Sequence, residues 1–397
     1  MIGHGPALTH LADFVNGYGF TGDDLDGDGI PVVRIQHLLD PSVEMDRTDL
    51  DVPQVAIQPG DLVFSWSATL AARIWDREPA LLNQHLFRVD PHSGVDRRWL
   101  KYVLDVAVDA LSGHMHGSAM THITRDMMRR VRVPFRSLQM QRAIADYLDT
   151  ETARIDALIA KKRRMIELLE EAHRASVTLA IAPGGTWGDG HAGKADLPQG
   201  WDRPRFGSVV SVAEGQVDPR IEPWRSMLLI APNHVKSGTG ELIERQSAVE
   251  QGAISGKYVC ETGDVIYSKI RPALRKAVLA PGRCLCSADM YPLRSSRALR
   301  PRYLHYLVLS DPFTELAVLE SDRVAMPKVN RDALSRIRIN LPPIAEQDRL
   351  VGVLDTASQR THTTIESLSC QVELLAEHRQ ALITAAVTGE LEIPAAA

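Results

Sequence analysis

Four cysteines, Cys260, Cys284, Cys286 and Cys370, are all that the 397 residues contain. They are too few and too unevenly placed for a disulfide framework or a four-ligand zinc site, so reduced, buried thiols are expected. No apolar run approaches the roughly 20 residues needed to span a bilayer, and the opening MIGHGPALTH lacks the charged head and apolar centre of a signal peptide. A soluble, cytoplasmic protein is the expectation. The length is too great for one ordinary domain and suits two or three, each able to bury a core.

Catalytic constellations are missing as well. There is no nucleophile elbow and no HExxH helix. GDGHAGK, Gly188 to Lys194, has the spacing of a phosphate-binding loop, but Ala195 stands where a magnesium-binding hydroxyl is required and no strand precedes the glycines. DLDGDG, Asp24 to Gly29, supplies half of a calcium loop, yet Ile35 occupies the place of the bidentate glutamate, which leaves a solvated acidic turn before a strand. NLPPI, Asn340 to Ile344, approaches the Asn-Pro-Pro-aromatic motif of adenine methyltransferases, but Leu341 interrupts it and Ile344 replaces the stacking aromatic. HMH at 114 to 116 reads as surface or loop groups. With no catalytic residue and no metal ligand signalled, the chain reads as a recognition or scaffold protein.

What is present is a repeat. A constant shift of 206 residues, from Pro134 to Asn340, holds without a gap for more than fifty residues. It places Arg125-Asp126 on Arg331-Asp332, Val131-Arg132-Val133 on Ile337-Arg338-Ile339, Gln141 on Gln347, and Leu148-Asp149-Thr150 on Leu354-Asp355-Thr356. Earlier echoes are looser: GDLVFS at 60 to 65 answers GDVIYS at 263 to 268, and WLKYVL at 99 to 104 answers YLHYLV at 303 to 308. The chain is a tandem duplication of a globular part followed by a helix.

Within each helix the apolar residues recur near every 3.5 positions, the period of a coiled-coil seam. Ile144, Leu148, Ile155, Leu158, Met165, Leu169 and Ala172 make the first seam, and Leu350, Leu354, Ala357, Leu368, Leu375 and Leu382 the second. Neither stretch contains proline, and about 43 residues at 1.5 Å each would reach about 64 Å. Two such helices most simply bury their stripes against each other. The globular parts read as mixed α/β. PVVRIQHL, DLVFSW, RRVRVPF, MLLIAPNHV, DVIYSKI and SRIRINL are expected strands. RWLKYVLDVAVDAL and RYLHYLVLSDPFTELAVL are expected helices. Glycine-rich APGGTWGDGHAGKADLPQGW marks a linker. The expected division is a first globular domain at 1–137, a first spacer helix at 138–182, a linker at 183–196, a second globular domain at 197–341, and a second spacer helix with a C-terminal tail at 342–393.

The net charge of -5 argues weakly against a nucleic-acid binder, but it is unevenly spread. Residues 183 to 341 carry 22 basic and 17 acidic groups, and six basic residues stand against two acids between Lys257 and Arg283. A local field of that sign attracts a polyanion whatever the total.

LPQGW opens the second globular unit, GIPVVRIQHL follows a Gly/Asp loop in the first, each unit has a GD strand, and each ends in Q-x-x-[IL]-x-x-x-L-D at the start of a long helix. ALITAAVTGELEI, Ala381 to Ile393, closes the chain. In this order and in two copies, these motifs resemble the DNA-specificity subunit of type I restriction-modification enzymes, over nearly the whole chain. Two departures stand out. The first unit lacks the LPxGW opening and begins near THLADF, and SLQMQ stands where the second copy has IAEQ.

The resemblance implies that each globular unit is a target recognition domain reading one half of a split DNA sequence, with the helices paired antiparallel as a spacer and the molecule pseudo-two-fold. It implies two methyltransferase subunits with S-adenosylmethionine, motor-nuclease subunits with ATP and magnesium, and no chemistry or cofactor in this chain. Reading heads on a stiff spacer would contact double-stranded DNA about 34 Å apart, and because the units differ the target would be asymmetric. Candidate DNA-binding residues are loop side chains that bond phosphates and base edges. They are Ser65, Trp66, Ser67, Arg73, Ser118, Thr121, His122 and Thr124 in the first unit. In the second they are Ser268, Lys269, Arg271, Arg275, Lys276, Arg323, Lys328 and Asn330. The recurring Arg125-Asp126 and Arg331-Asp332 read as a cap and ion pair repeated for folding ahead of a DNA contact, and KKRR, Lys161 to Arg164, as a solvated face that could also touch phosphates over the gap or dock a partner. The competing readings are a stand-alone bipartite DNA-binding regulator or scaffold, and an enzyme acting alone.

Overall fold

The computed structural model describes residues 4–40, 42–112, 123, 125–183, 197–321 and 327–394, with the backbone alone at 109–112 and 125. The linker glycines with Gly188 to Lys194, and HMH at 114 to 116, lie outside the described residues. The chain falls into two compact units: Met1–Arg163 with Ser369–Ala397 (unit 1), and Arg164–Leu368 (unit 2).

Unit 1 holds strands β1 (Ala12–Asn16), β2 (Ile30–Val33), β3 (Arg47–Thr48), β4 (Ala56–Ile57), β5 (Leu62–Ser65), β6 (Ala71–Ile74), β7 (Ala80–Leu82) and β8 (Leu86–Pro91). Its helices are α1 (Ile35–Leu39), α2 (Arg97–Ser112), α3 (Arg125–Arg130) and the first part of α4 (Leu138–Ile181). The strands form two sheets, β1-β8-β5-β6 and β3-β2-β7-β4. Asp96 starts α2 by accepting from the N–H groups of Arg98 and Trp99 at 3.0 and 3.1 Å, satisfying donors that a helix start leaves free.

Unit 2 holds the last part of α4, α5 (Phe206–Val209), β9 (Val210–Val212), β10 (Gln216–Val217), β11 (Leu229–Ile230), β12 (Lys257–Cys260), β13 (Val265–Ser268), β14 (Ala277–Leu279), β15 (Cys284–Cys286) and β16 (Met290–Ser295). After these come α6 (Pro301–Leu309), α7 (Asp311–Leu319), α8 (Arg331–Arg336) and the first part of α9 (Ile344–Thr388). The main sheet, β14-β13-β16-β9, repeats the first in order and register: Leu62 pairs with Val89 and Ser65 with Leu86, as Val265 pairs with Leu293 and Ser268 with Met290. In the second sheet the parallel pair β2·β7 is answered by β11·β15, and the antiparallel pair β4·β7 by β12·β15.

Each core combines sheet, helix and both long helices. Leu62, Phe87, Trp99, Leu100, Val103, Ile144 and Leu148 pack with Ile383 and Val387 in unit 1. In unit 2, Val265, Tyr291, Tyr303, Leu304, Leu307, Leu350 and Leu354 pack with Val177 and Ile181. Within unit 1 the long-helix segments meet at Lys162 with Gln371 and at Asp156 with Arg379, so they run in opposite directions.

Several expectations change. RRVRVPF and SRIRINL are not strands: α3 and α8 take their first residues, and the remainder joins earlier chain by isolated bridges, Ala7 to Arg132, Arg205 to Arg338 and Asp202 to Leu341. Pro134 and Pro342, which have no N–H to donate, follow at once. The helix expected over RYLHYLVLSDPFTELAVL is two, because Pro312 can occupy a first turn but not an interior. PVVRIQHL and MLLIAPNHV are extended only where they overlap β2 (Ile30–Val33) and β11 (Leu229–Ile230); α1 and a 3₁₀ turn at Pro232–His234 follow. Of the seam, Ile144, Leu148, Ile155, Leu350, Leu354 and Leu368 are buried, and Leu169, Leu375 and Leu382 half-buried. Leu158 is 41% exposed and Ile159, at 9%, takes its place, because the step after Ile155 is four residues and leaves position 158 about 100° off the stripe. Cys260, Cys284 and Cys286 are buried free thiols, whereas Cys370 is exposed, two residues and so about 200° round the helix from buried Leu368.

Candidate nucleic-acid interface

The same loop follows the central strand of each main sheet. β5 ends at Ser65 and β13 at Ser268; both serines are buried, and their hydroxyls donate back to the loop at Thr69 O and Ile270 O. Three residues beyond each serine the chain turns through a left-handed residue that is not glycine, Ala68 at φ 57° and Arg271 at φ 46°. Such backbone is costly for a residue with a Cβ and persists where surroundings hold it.

The loop then binds the segment that leads to α3 or α8. Ile123 N donates to Trp66 O in unit 1, and Val329 N to Lys269 O in unit 2, both at 2.9 Å. In unit 2, Arg271 N also donates to Pro327 O at 2.8 Å, and Ile270 and Lys328 form a bridge. Sequence segments some sixty residues apart, each offered for its polar residues, thus form one edge.

Side chains divide between framework and edge. Arg271 and Lys328 are exposed. Lys269 lies 5.3 Å from the centre of the Tyr291 ring, a cation–π distance. Arg275 is tied to Asp311, Lys276 Nζ donates to Pro232 O at 2.7 Å, and Ser268 is turned inward. Asn330 accepts from Ala333 N at 2.8 Å and caps α8. Arg331 and Asp332 open α8, with Arg331 paired to Glu214 at 2.9 Å and lying over Tyr258 and Tyr291. In unit 1, Ser65 and Ser67 are buried, Trp66 packs on His85 and Phe87, and Arg73 donates to Leu38 O and pairs with Asp76. Asp126, in the first turn of α3, pairs with Arg129 at 3.3 Å. Ser118, Thr121, His122, Thr124 and Arg323 lie outside the described residues.

Ala68 and the tyrosines Tyr258 and Tyr291 escaped the sequence reading. Aligning Ser65 with Ser268 carries Ala68 onto Arg271, so the loop was traceable; the tyrosines had no local signal, since they reach the edge only through the sheets.

Below the edge, a paired lock joins each head to its long helix. Gln141 accepts from Asp96 N at 2.7 Å and donates to Gly94 O and Arg136 O at 3.1 and 2.8 Å. Gln347 accepts from Arg300 N at 2.8 Å and donates to Ala298 O and Pro342 O, both at 2.9 Å. SLQMQ therefore starts its helix as the second copy does. The Tyr102 and Tyr306 hydroxyls donate to Asp149 and Asp355 at 2.7 Å, where Arg98 and Arg302 also bind. Burial pushes the Tyr306 phenol up to about 12. The opening segments correspond as well: Val133 N donates to Pro6 O and Ile339 N to Pro204 O. Asn340 of NLPPI is a buried bracket, donating to Ile181 O and accepting from Arg203.

The family described as "Type I restriction modification DNA specificity domain" matches residues 12–168 and 236–374. The chain is 27% identical to the Type I restriction enzyme EcoDI specificity subunit of Escherichia coli over 317 residues, 75% of this chain and 70% of that one. It is 21% identical to the EcoBI specificity subunit of the same organism, covering 97% and 85%. Among solved structures, a chain described under complex assembly and conformational transition of the type I R-M system superposes with a TM-score of 0.70 at 18% identity, covering 97% of both chains.

Proposed function

The chain belongs to the type I restriction-modification DNA specificity family, and from that premise we propose that its two heads read the unequal halves of a split DNA target. It is a sequence-specific DNA-binding subunit that directs methylation and restriction carried out by partner subunits. The observation that carries the bipartite reading is the duplicated edge: in each unit a left-handed loop after the central strand is bonded to the segment before α3 or α8. Two such edges in one chain, with different side chains, suit two different half-sites.

In unit 2 the reading residues are Arg271 and Lys328, with Lys269 behind them. Arg275, Lys276 and Asn330 shape the loop. In unit 1 the loop between β5 and β6, with Ser65, Trp66 and Ser67 at its start and Arg73 in β6 beyond it, takes the same part together with Ser118, Thr121, His122 and Thr124, and Arg323 joins the unit 2 set. Residues 1–137 and 197–341 act as target recognition domains. The helices over 138–182 and 342–393 pair as an antiparallel coiled coil, giving a pseudo-two-fold spacer that sets an unread gap. Two methyltransferase subunits bring S-adenosylmethionine, and motor-nuclease subunits bring ATP and magnesium; the chain itself is non-catalytic.

Co-expression with its methyltransferase partner should yield adenine methylation at a split asymmetric sequence, mapped by methylation-sensitive sequencing. Deleting residues 198 to 340 should abolish methylation at that sequence. Unchanged methylation after the deletion, or methyl transfer by the isolated chain, would contradict the reading.

A further inference from the structure

A cavity of about 560 Å3 lies within unit 2, walled by segments of α4 and α9, α6 and the Lys236–Glu241 turn. That size is typical of small-molecule sites. The turn is built to sit close: Gly238 and Gly240 have φ 74° and 72°, and a Cβ on Gly240 would fall 2.2 Å from His305 Nε2.

The cavity forms where the two copies diverge. In unit 1, Arg379 and Asp156 pair at 2.9 Å between the long-helix segments. The 206-residue shift carries these positions onto His173 and His362, and carries Ile155 onto Thr361. All three unit 2 residues line the cavity. An ion pair and an isoleucine in one copy are therefore answered by two imidazoles and a hydroxyl in the other.

The lining groups are unequally satisfied. Asp355 is held by Arg302 and by Tyr306, both at 2.7 Å, and Glu241 is paired with Lys236 at 3.5 Å. Arg174 has no hydrogen-bond or ion-pair partner among the described residues. It is near enough to Arg275 for its charge to depress that guanidinium's pKa, although burial is the larger cause. His173 meets Ser358 Oγ through Nε2 at 3.2 Å, but its Nδ1 is buried with no partner. Ser237 and Thr239 also face the space. Arg174, and Arg275 through the nitrogens that its ion pair with Asp311 leaves over, together with hydroxyls and an imidazole nitrogen suit the several oxygens and double charge of a phosphate. Glu170, one helical turn before Arg174, suits a ligand hydroxyl or amine instead. Val177, Leu309 and Ile365 supply apolar wall for a body larger than a bare ion.

We propose that this cavity binds a small organic phosphate, its phosphate held by Arg174 and Arg275 and reached by the Ser237–Thr239 turn and His173 Nδ1. The ligand bridges the head of unit 2 and its long-helix segments, because Lys236 and Arg275 belong to the head and His173, Arg174 and Ser358 to the helices.

The test is calorimetric titration of the full-length chain with AMP, adenosine and inorganic phosphate at constant ionic strength. AMP should bind, with adenosine weaker by about tenfold or more. Arg174→Gln removes an exposed group without a partner and should weaken AMP by about tenfold or more, the scale of one charge-assisted hydrogen bond. Arg379→Gln, in the other unit, should leave AMP binding unchanged. Absence of binding by both AMP and inorganic phosphate, or equal AMP affinity in Arg174→Gln, overturns the proposal. It is also overturned if Arg174→Gln weakens duplex binding while AMP does not bind, since the phosphate would then be the DNA backbone's.

Discussion

Gln141 and Gln347 are wholly buried, and each satisfies one backbone N–H and two backbone carbonyls around the start of a long helix. Leucine in either place leaves those groups in an apolar environment with nothing to bond. Gln347→Leu should cost on the order of 3 kcal/mol, measured as a lower urea midpoint for unit 2, and Gln141→Leu should act likewise on unit 1. His305 gives unit 2 a pH dependence. Burial is the main cause that holds its pKa down to about 4, against an ordinary 6.5. Between those values the unfolded chain takes the proton and the folded chain does not. The stability is thus full above pH 6.5 and is lost as the pH falls towards 4, by on the order of 3 kcal/mol. Hydrogen exchange of the α6 amides should show this loss, and His305→Asn should flatten it. An unchanged pH slope in that variant would exclude the imidazole as the source. The recurrence of the glutamine was legible in the sequence, but its role was not, because Asp96 and Arg300 lie 45 and 47 residues away.

At the scale of elements, the left-handed loops are the features most tied to reading. Arg271→Gly should relieve backbone strain, raising stability by about 1 kcal/mol, while removing an exposed cation from the edge. Thermal melting and duplex binding should therefore move in opposite senses: a higher melting temperature and weaker DNA affinity. A loss of both would mean that the guanidinium supports the fold instead. Strands such as β5 and β13 were legible because short, β-branched, buried runs have few alternatives. SRIRINL carried the same composition yet pairs by single bridges, since its neighbours in space, Asp202 and Arg205, could not be read from local pattern. Pro312 was visible and should have divided its helix.

Across the whole molecule, each unit draws on both long helices. Ile383, Ala386 and Val387 are buried in the core of unit 1, and Val177 and Ile181 in that of unit 2. Truncation after Leu368 should consequently open unit 1, whose sheets lie more than two hundred residues upstream, and leave unit 2 protected. Limited proteolysis or hydrogen exchange distinguishes the two, and loss of unit 2 alone would refute the assignment. The sequence by itself determined the duplication, the mixed α/β heads, the long helices and the family resemblance, because these rest on local periodicity and on a constant shift between copies. Tertiary structure alone decided that the end of each long helix completes the core of the head it does not follow in sequence. It also decided which basic residues are free at the edge. Both depend on partners distant along the chain, and a repeat shows which segments are alike without showing which of them touch.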